Sequence, residues 1–217
     1  KLFFLMTLEI LKKNEKSSNG LGFLSPQSWI YHDDVVKKVL EGDYFGIMPI
    51  AAEFVSTMNC TNRCGFCGYE KQKRMEDCWE KNDFSSPIIQ MKNKNFAISL
   101  LEKLIDGKVK GIILTGGGEP LLFPYAEDIV EHCTLRGVDS VVYTNGNSVS
   151  EERVKRIVRA SPLLFRVSLN AGTEKVYSEM HHPSNTKNAF ERVKRTIRTL
   201  ALEAKNTETN VGVSVLI

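Results

Sequence analysis

Three cysteines stand within the eight-residue segment CTNRCGFC, which runs from Cys60 to Cys67. Cysteine thiolates are ligands of zinc and of iron–sulfur clusters, and closed sites of either kind take four protein ligands. Gaps of three and two residues let one loop fold around a corner of a 4Fe–4S cluster, and Gly65 beside Cys64 gives that loop conformational freedom. Three thiolates leave one iron atom without a protein ligand. The spacing therefore indicates a cluster whose open iron binds a small molecule.

The cysteines also leave two other interpretations open. A zinc site would need a fourth donor, and Cys78 could supply it from a charged stretch eleven positions after Cys67. The thiols could instead be purely structural. Cys133 lies on the apolar side of a predicted helix, so we expect it in the core and assign it no ligand role.

Three later segments contain residues that can bind a ligand. The glycines of LTGGGEP expose backbone N–H and C=O groups, although a tight turn would use them equally well. The asparagine of YTNGN is typical of a turn at a helix start as well as of a binding residue. The serine and asparagine of RVSLNAG are poor strand formers and can hydrogen-bond a ribose diol. The candidate residues are Gly117, Gly118, Glu119, Asn145, Ser168 and Asn170.

Each of these segments, like the cysteine segment, follows a predicted strand. Apolar runs predict strands at 52–56, 111–115, 140–144, 165–169 and 211–217, and apolar residues at steps of three and four predict helices at 96–105, 125–133, 154–158 and 190–204. Ser148 and Glu151 fit a capping box before the third of these helices. Strand–helix alternation predicts a parallel sheet with helices outside it, and ligands of such sheets bind at the carboxyl ends of the strands.

Residues 1–50 have the pattern of an N-terminal helical extension without visible chemistry. An apolar segment at 2–11 precedes a polar loop, and a short helix is predicted at 33–40 with Gly42 as its stop. The chain closes on the β-branched run NVGVSVLI. Because a buried strand rarely ends a domain, we expect further sequence after Ile217.

The segment MHHP contains two adjacent histidines, which could act as ligands or as proton carriers. Neighbouring side chains at a helix end point in different directions, and Pro183 marks a boundary. We therefore expect His181 and His182 to lie at a surface helix terminus rather than beside a substrate.

The motif Cys-x-x-x-Cys-x-x-Cys after a first strand, with Phe66 before its third cysteine and a GGEP-type loop after the second strand, resembles the signature of the radical SAM superfamily. The resemblance extends over residues 51–217. It implies an α/β fold, a partial TIM-like barrel of six strand–helix units. Only five strands are predicted here, so we expect the chain to lack about the last unit of a C-terminally truncated core.

The resemblance also implies two cofactors and a set of binding residues. Cys60, Cys64 and Cys67 would hold a 4Fe–4S cluster, and S-adenosylmethionine would bind its open iron. The backbone of Gly117, Gly118 and Glu119 would contact the methionine amino group, and Asn145 would contact the cofactor or the substrate. Ser168 and Asn170 would bind the ribose. The backbone of Phe66, and the side chain of Val213 or Val215, would contact the adenine. Core packing would explain the two valines equally well.

One segment departs from the family pattern, which commonly has Ser-Leu-Asp-Gly at the end of the fourth strand. This chain has Asn170 and Ala171 in place of the aspartate and glycine. Asparagine can still donate and accept hydrogen bonds, so ribose binding is retained as an expectation. A role that needs a negative charge at this position is not expected.

The resemblance implies a radical enzyme that reductively cleaves S-adenosylmethionine to a 5′-deoxyadenosyl radical, which abstracts hydrogen from a substrate. Peptide maturation and small-molecule modification fit the sequence equally well. Two other classes are kept as alternatives. An iron–sulfur electron carrier would use four protein ligands, and a zinc-stabilised interaction domain would need Cys78 as a ligand.

The composition sets the remaining expectations. The net charge of +3 is too small to indicate nucleic acid or an anionic membrane as a partner. Clustered cysteines without an export signal favour a reducing compartment, so we expect a cytoplasmic location. The family resemblance implies a reducing partner such as ferredoxin or flavodoxin.

Overall fold

The computed structural model describes residues 32–45, 47–69 and 93–216. The predicted apolar segment 2–11, Cys78 and the last residue of the predicted fifth strand lie outside the described residues. None of the described helices is both long enough and apolar enough to cross a bilayer.

Five parallel strands form one sheet, in which the spatial order equals the order along the chain. The strands are β1 (Ala51–Val55), β2 (Gly111–Thr115), β3 (Asp139–Thr144), β4 (Leu164–Ser168) and β5 (Asn210–Ser214). Each strand therefore pairs with the next one that the chain forms, as in a singly wound barrel rather than a doubly wound sheet. The predicted α/β fold of partial TIM-like type is confirmed, and every predicted strand is present to within three residues at its ends.

The helices also follow the predicted periodicity. They are α1 (Asp33–Glu41), α2 (Lys94–Asp106), α3 (Ala126–Leu135), α4 (Glu151–Arg159), α5 (Glu174–His181) and α6 (Ala189–Glu203), with short 3-10 turns at Pro120–Leu122 and Ala204–Asn206. The predicted capping box of α4 is wrong, because its N-cap was placed two residues too early. Ser150, not Ser148, is the N-cap, because its backbone is extended and its hydroxyl accepts the N–H of Arg153.

One face of the sheet packs against the helices and forms the core. Phe54, Leu114, Val142 and Phe165 are aligned across β1 to β4 on this face, and all four are buried. Helix residues complete the cluster; they include Leu101, Ile129, Ile157 and Leu200. Burying each large apolar side chain contributes about 1.5–3 kcal/mol. Cys133 is fully buried in this cluster, so its predicted core position is confirmed.

The alternate strand residues point to the opposite face of the sheet, which we call the inner face. Val141, Tyr143, Leu164 and Arg166 lie on this face, since they alternate with the core residues of β3 and β4. All five strands run in the same direction, so their carboxyl ends meet at one edge. We call this edge the carboxyl edge.

Candidate cofactor site

The four segments singled out in the sequence lie at the carboxyl edge. The cysteine segment follows β1, the glycine segment follows β2, Asn145 follows β3, and Ser168 and Asn170 stand at the end of β4. Parallel strands place the loops after neighbouring strands side by side. The contacts among these segments show which of them the fold brings together.

The cysteine segment is bonded by its backbone to the end of α5 and the turn that follows. The N–H of Arg63 donates to the carbonyl of His181 at 3.0 Å, and the N–H of Gly65 donates to the carbonyl of Met180 at 3.2 Å. In the opposite direction, the N–H of Ser184 donates to the carbonyl of Thr61 at 2.8 Å. These hydrogen bonds hold the cysteine segment against α5 and its following turn, which lie more than a hundred residues away in sequence.

His181 connects this anchor to a thiol. Its Nδ1 lies 3.1 Å from the Cys64 Sγ, and its Nε2 lies 3.1 Å from the carbonyl oxygen of Leu169. A carbonyl only accepts, so Nε2 carries the proton, and in the neutral ring Nδ1 accepts from the thiol. Burial lowers the pKa of His181, which favours the neutral ring. The expected surface position is wrong for His181, which is 1% exposed, and right for His182, which is exposed.

Packing explains why His181 is buried although it ends a helix. Its ring stacks on Tyr177 at a centroid distance of 4.5 Å and meets Phe66 edge-on at 5.5 Å. The helix ends on His182, whose φ of 41° turns the chain before Pro183. The pair His-Pro at a helix end signals such a turn, but only the fold reveals that it faces the thiol loop.

Asn62 is a functional candidate that sequence reasoning missed. Its side chain is buried, its Nδ2 donates to the Tyr177 hydroxyl at 3.3 Å, and its Oδ1 accepts from Asn147 Nδ2 at 3.0 Å. It thereby joins the cysteine segment to α5 and to the loop after β3. Its own N–H points to the Cys60 Sγ at 3.4 Å.

Asn145 lies directly beside the thiol loop, as its position after β3 suggested. Its Nδ2 donates to the Thr61 hydroxyl at 3.3 Å and lies 3.6 Å from the Cys60 Sγ. Together with the Asn62 N–H, this amide gives Cys60 two N–H neighbours. Donors of this kind favour the thiolate, which is the form that ligates metal.

Glu119 uses its side chain inside the protein rather than at the surface of the site. One carboxylate oxygen accepts from the Leu121 N–H and the Thr144 hydroxyl at 3.1 and 2.6 Å, and the other accepts from the Asn145 N–H at 2.7 Å. Burial raises the pKa of Glu119, while these hydrogen bonds act in the opposite direction. The carboxylate thus fixes the loop after β2 to the loop after β3.

Gly118 brings the glycine segment against the residues that precede Cys60. A Cβ at Gly118 would lie 2.3 Å from the carbonyl oxygen of Asn59 and 2.6 Å from that of Thr57, so the two backbones are in direct contact. The N–H of Glu119 also donates to the Asn59 carbonyl at 2.7 Å. Within residues 32–45, 47–69 and 93–216, the backbone groups of Gly117 and Gly118 make no hydrogen bond, which leaves them available to a ligand.

Asn170 has a structural role at the end of β4. It adopts a φ of 50°, which asparagine tolerates better than most residues, and its Oδ1 accepts from the Leu216 N–H at 3.1 Å. Ser168 pairs in register with Ser214 on the inner face. Val213 is aligned with Val167 on the helix-facing side of the sheet. Val213 and Val215 are both exposed and neither packs in the described core, so their contact with an adenine stays a prediction.

The donor set of the cysteine segment fits an iron–sulfur cluster. It consists of three half-buried thiols in one loop, and soft thiolate ligands are those that such clusters take. In the described part of the chain, no three His, Cys, Asp or Glu side chains converge as a single metal ion would require. A 4Fe–4S cluster does not require such convergence on one point, because each thiolate binds a different iron atom.

The sequence profile of the radical SAM superfamily matches residues 54–214, a stretch that includes all four segments. The chain belongs to the radical SAM superfamily. Members of this family bind a 4Fe–4S cluster and S-adenosylmethionine, so the prediction of these two cofactors is confirmed at the level of the family. Which residues of this chain hold them stays a prediction. No curated protein matches the chain in sequence.

Two solved structures share the fold of this chain. Streptococcus suis SuiB bound to S-adenosylmethionine has a TM-score of 0.51 and 15% identity, over 82% of this chain and 36% of SuiB. Native anSMEcpe with bound AdoMet has a TM-score of 0.53 and 15% identity, over 74% of this chain and 43% of that protein. The chain spans 36% to 54% of the length of the first three structures that it matches.

Proposed function

We propose that this chain forms the catalytic core of a radical SAM enzyme, in which Cys60, Cys64 and Cys67 ligate a 4Fe–4S cluster with one open iron. The observation that carries this proposal is the direct backbone contact between Gly118 and Asn59. It joins a loop of soft metal ligands to a loop with unused backbone groups at the same edge of the sheet. Residues 51–217 constitute this core in our proposal, and residues 1–50 are an N-terminal helical extension.

S-adenosylmethionine would lie along the carboxyl edge, across the four segments. The backbone of Gly117, Gly118 and Glu119 would hold its amino group. The first two make no backbone hydrogen bond to any described residue, and the third is fixed by its buried carboxylate. The other proposed contacts are the ribose with Ser168 and Asn170, the adenine with the Phe66 backbone, and the cofactor or substrate with Asn145. In Asn170 the side-chain amide nitrogen would serve the ribose, since the oxygen already accepts from Leu216.

When bound together, the cluster and S-adenosylmethionine supply one-electron cleavage of the sulfonium to a 5′-deoxyadenosyl radical, which takes hydrogen from the substrate. The residues of this chain hold the geometry. Asn62 and Asn145 place N–H groups at Cys60, and the buried ring of His181 packs beside Cys64. Glu119 keeps the glycine segment in register with β3.

The enzyme would need an electron donor, and we propose a reducing partner such as ferredoxin or flavodoxin in the cytoplasm. The substrate would be a peptide or a small molecule. Neither the electron carrier nor the zinc domain gains support from the structure, because Cys78 lies outside the described residues and a carrier would have no use for the glycine segment.

Replacement of Cys60, Cys64 and Cys67 by alanine should abolish the cluster. We expect the triple variant, after anaerobic reconstitution with iron and sulfide, to lack bound iron, cluster absorbance and reductive formation of 5′-deoxyadenosine. The matched control is Cys133→Ala, which removes a thiol that is buried in the core and is not in the cysteine segment. This variant should retain all three signals. Formation of 5′-deoxyadenosine by an iron-free triple variant would refute the proposal.

A further inference from the structure

Arg166 is the only lysine or arginine in the five strands, and three neighbouring strands hold its side chain on the inner face. Its guanidinium carbon lies 3.8 Å from the ring centroid of Tyr143 on β3. On β5, Gly212 faces it in register, and a Cβ at Gly212 would lie 3.2 Å from the Arg166 Cγ. The absence of a side chain at Gly212 therefore makes room for the stem of Arg166.

The charge of Arg166 has no counter-ion in the part of the chain that the structure describes. No carboxylate there lies within ion-pair distance, and its buried Nε has no hydrogen-bond partner. The other charged strand residues of the inner face are Glu53, on the edge strand β1, and Asp139, which begins β3 four residues before Tyr143. Stacking on Tyr143 orients the guanidinium but does not neutralise it.

A half-buried guanidinium without a counter-ion among the described residues costs free energy, and an anionic ligand would offset that cost. Arg166 is well placed for this. It lies two residues before Ser168, about 6–7 Å deeper on the inner face than the carboxyl edge, since a strand advances about 3.3 Å per residue. A ligand that reaches Arg166 therefore extends below the cofactor segments at that edge.

We propose that Arg166 binds a carboxylate group of the substrate on the inner face of the sheet. This proposal rests on the proposed function, because the radical chemistry requires a substrate beside the cofactor segments. The guanidinium offers two parallel N–H groups, which match the two oxygens of a carboxylate. A single cation on a face that also contains Glu53 and Asp139 suits one negative charge better than the double charge of a phosphate monoester.

Hippurate, an aromatic monocarboxylate, is the probe, with its neutral amide hippuramide and with phenyl phosphate as comparisons. Ligand-observed NMR on the reconstituted protein with S-adenosylmethionine gives a dissociation constant for each. We expect hippurate to bind more tightly than hippuramide or phenyl phosphate. Its dissociation constant should rise at least about ten-fold in Arg166→Gln, because a hydrogen bond between charged groups is lost. The exposed Arg198→Gln is the matched control and should bind hippurate like the wild type.

Two further measurements keep the test decisive if Arg166→Gln does not fold. Arg166→Lys keeps the positive charge but loses the two parallel N–H groups of the guanidinium. It should therefore weaken hippurate binding less than Arg166→Gln does. In the wild type, hippurate but not hippuramide should protect Arg166 from phenylglyoxal, as read by mass spectrometry.

Equal affinity of wild type and Arg166→Gln for hippurate would refute the proposed carboxylate subsite. Tighter binding of hippuramide than of hippurate by the wild type would refute it as well. Tighter Arg166-dependent binding of phenyl phosphate would replace the carboxylate by a phosphate and would also overturn it. Weakened binding of S-adenosylmethionine alone would assign Arg166 to the cofactor instead. Failure of the proposed function would appear separately, as wild-type protein that forms no 5′-deoxyadenosine.

Discussion

A backbone N–H, a side-chain amide and an imidazole lie beside two of the three thiols of the cysteine segment. Asn62 and Asn145 approach Cys60, and His181 approaches Cys64. The spacing of the three cysteines alone was enough to predict a ligand loop, because ligands that are close in sequence need no tertiary information. The role of His181 was not readable, since its contact with Cys64 joins positions 117 residues apart.

The stability of the folded protein should depend on pH through the buried side chain of Glu119. Its folded-state pKa is raised by burial above the ordinary value of 4.5, so the folded protein binds its proton more readily than the unfolded chain does. This contribution to stability is complete below the unfolded pKa and is lost as pH rises through the folded one. Urea unfolding of wild type and Glu119→Gln should therefore show a difference that turns against the wild type as pH increases from about 4.5. A difference that stays constant or favours the wild type with rising pH would contradict the assignment.

The candidate site consists of the loops that follow the strands. The positions of these loops in the sequence followed from the predicted strands. Apolar runs separated by periodic helices predicted both the elements and the common edge, because parallel strands must all end on the same side. The direct contact of the glycine segment with residues 57–59 could not be predicted in this way. It depends on how two neighbouring loops pack, which the local pattern does not encode.

Gly118→Ala tests this contact between loops. The added Cβ would lie 2.3 Å from the Asn59 carbonyl oxygen, and backbone cannot yield as a flexible side chain can. We expect a loss of about 1–3 kcal/mol in the free energy of unfolding, with weaker binding of S-adenosylmethionine. Gly172→Ala is the control, since nothing lies within 4 Å of its Cβ position. Equal effects of the two substitutions, measured by urea unfolding, would show that the loops can separate without penalty.

The whole molecule is a singly wound sheet with helices on one face and an inner face on the other. The family resemblance implied a barrel-like strand order, but the direction of individual side chains could not be read from the sequence. The resemblance implied Val213 or Val215 beside an adenine, and the register of Val213 with Val167 places Val213 on the helix-facing side. The same register turns Arg166 toward the inner face, where the sequence had shown only a strand residue. A shift of one residue reverses the face on which a side chain lies, so register decides which strand residues point to the inner face.

The central claim is that one iron of the cluster is left for S-adenosylmethionine. The most direct measurement is electron–nuclear double resonance of the reduced, reconstituted protein, with cofactor isotope-labelled at its amino nitrogen. The account predicts a hyperfine coupling between the labelled nitrogen and the cluster, which disappears when unlabelled cofactor replaces it. A fully reduced cluster without such a coupling, or with a fourth protein ligand on the remaining iron, would contradict the account.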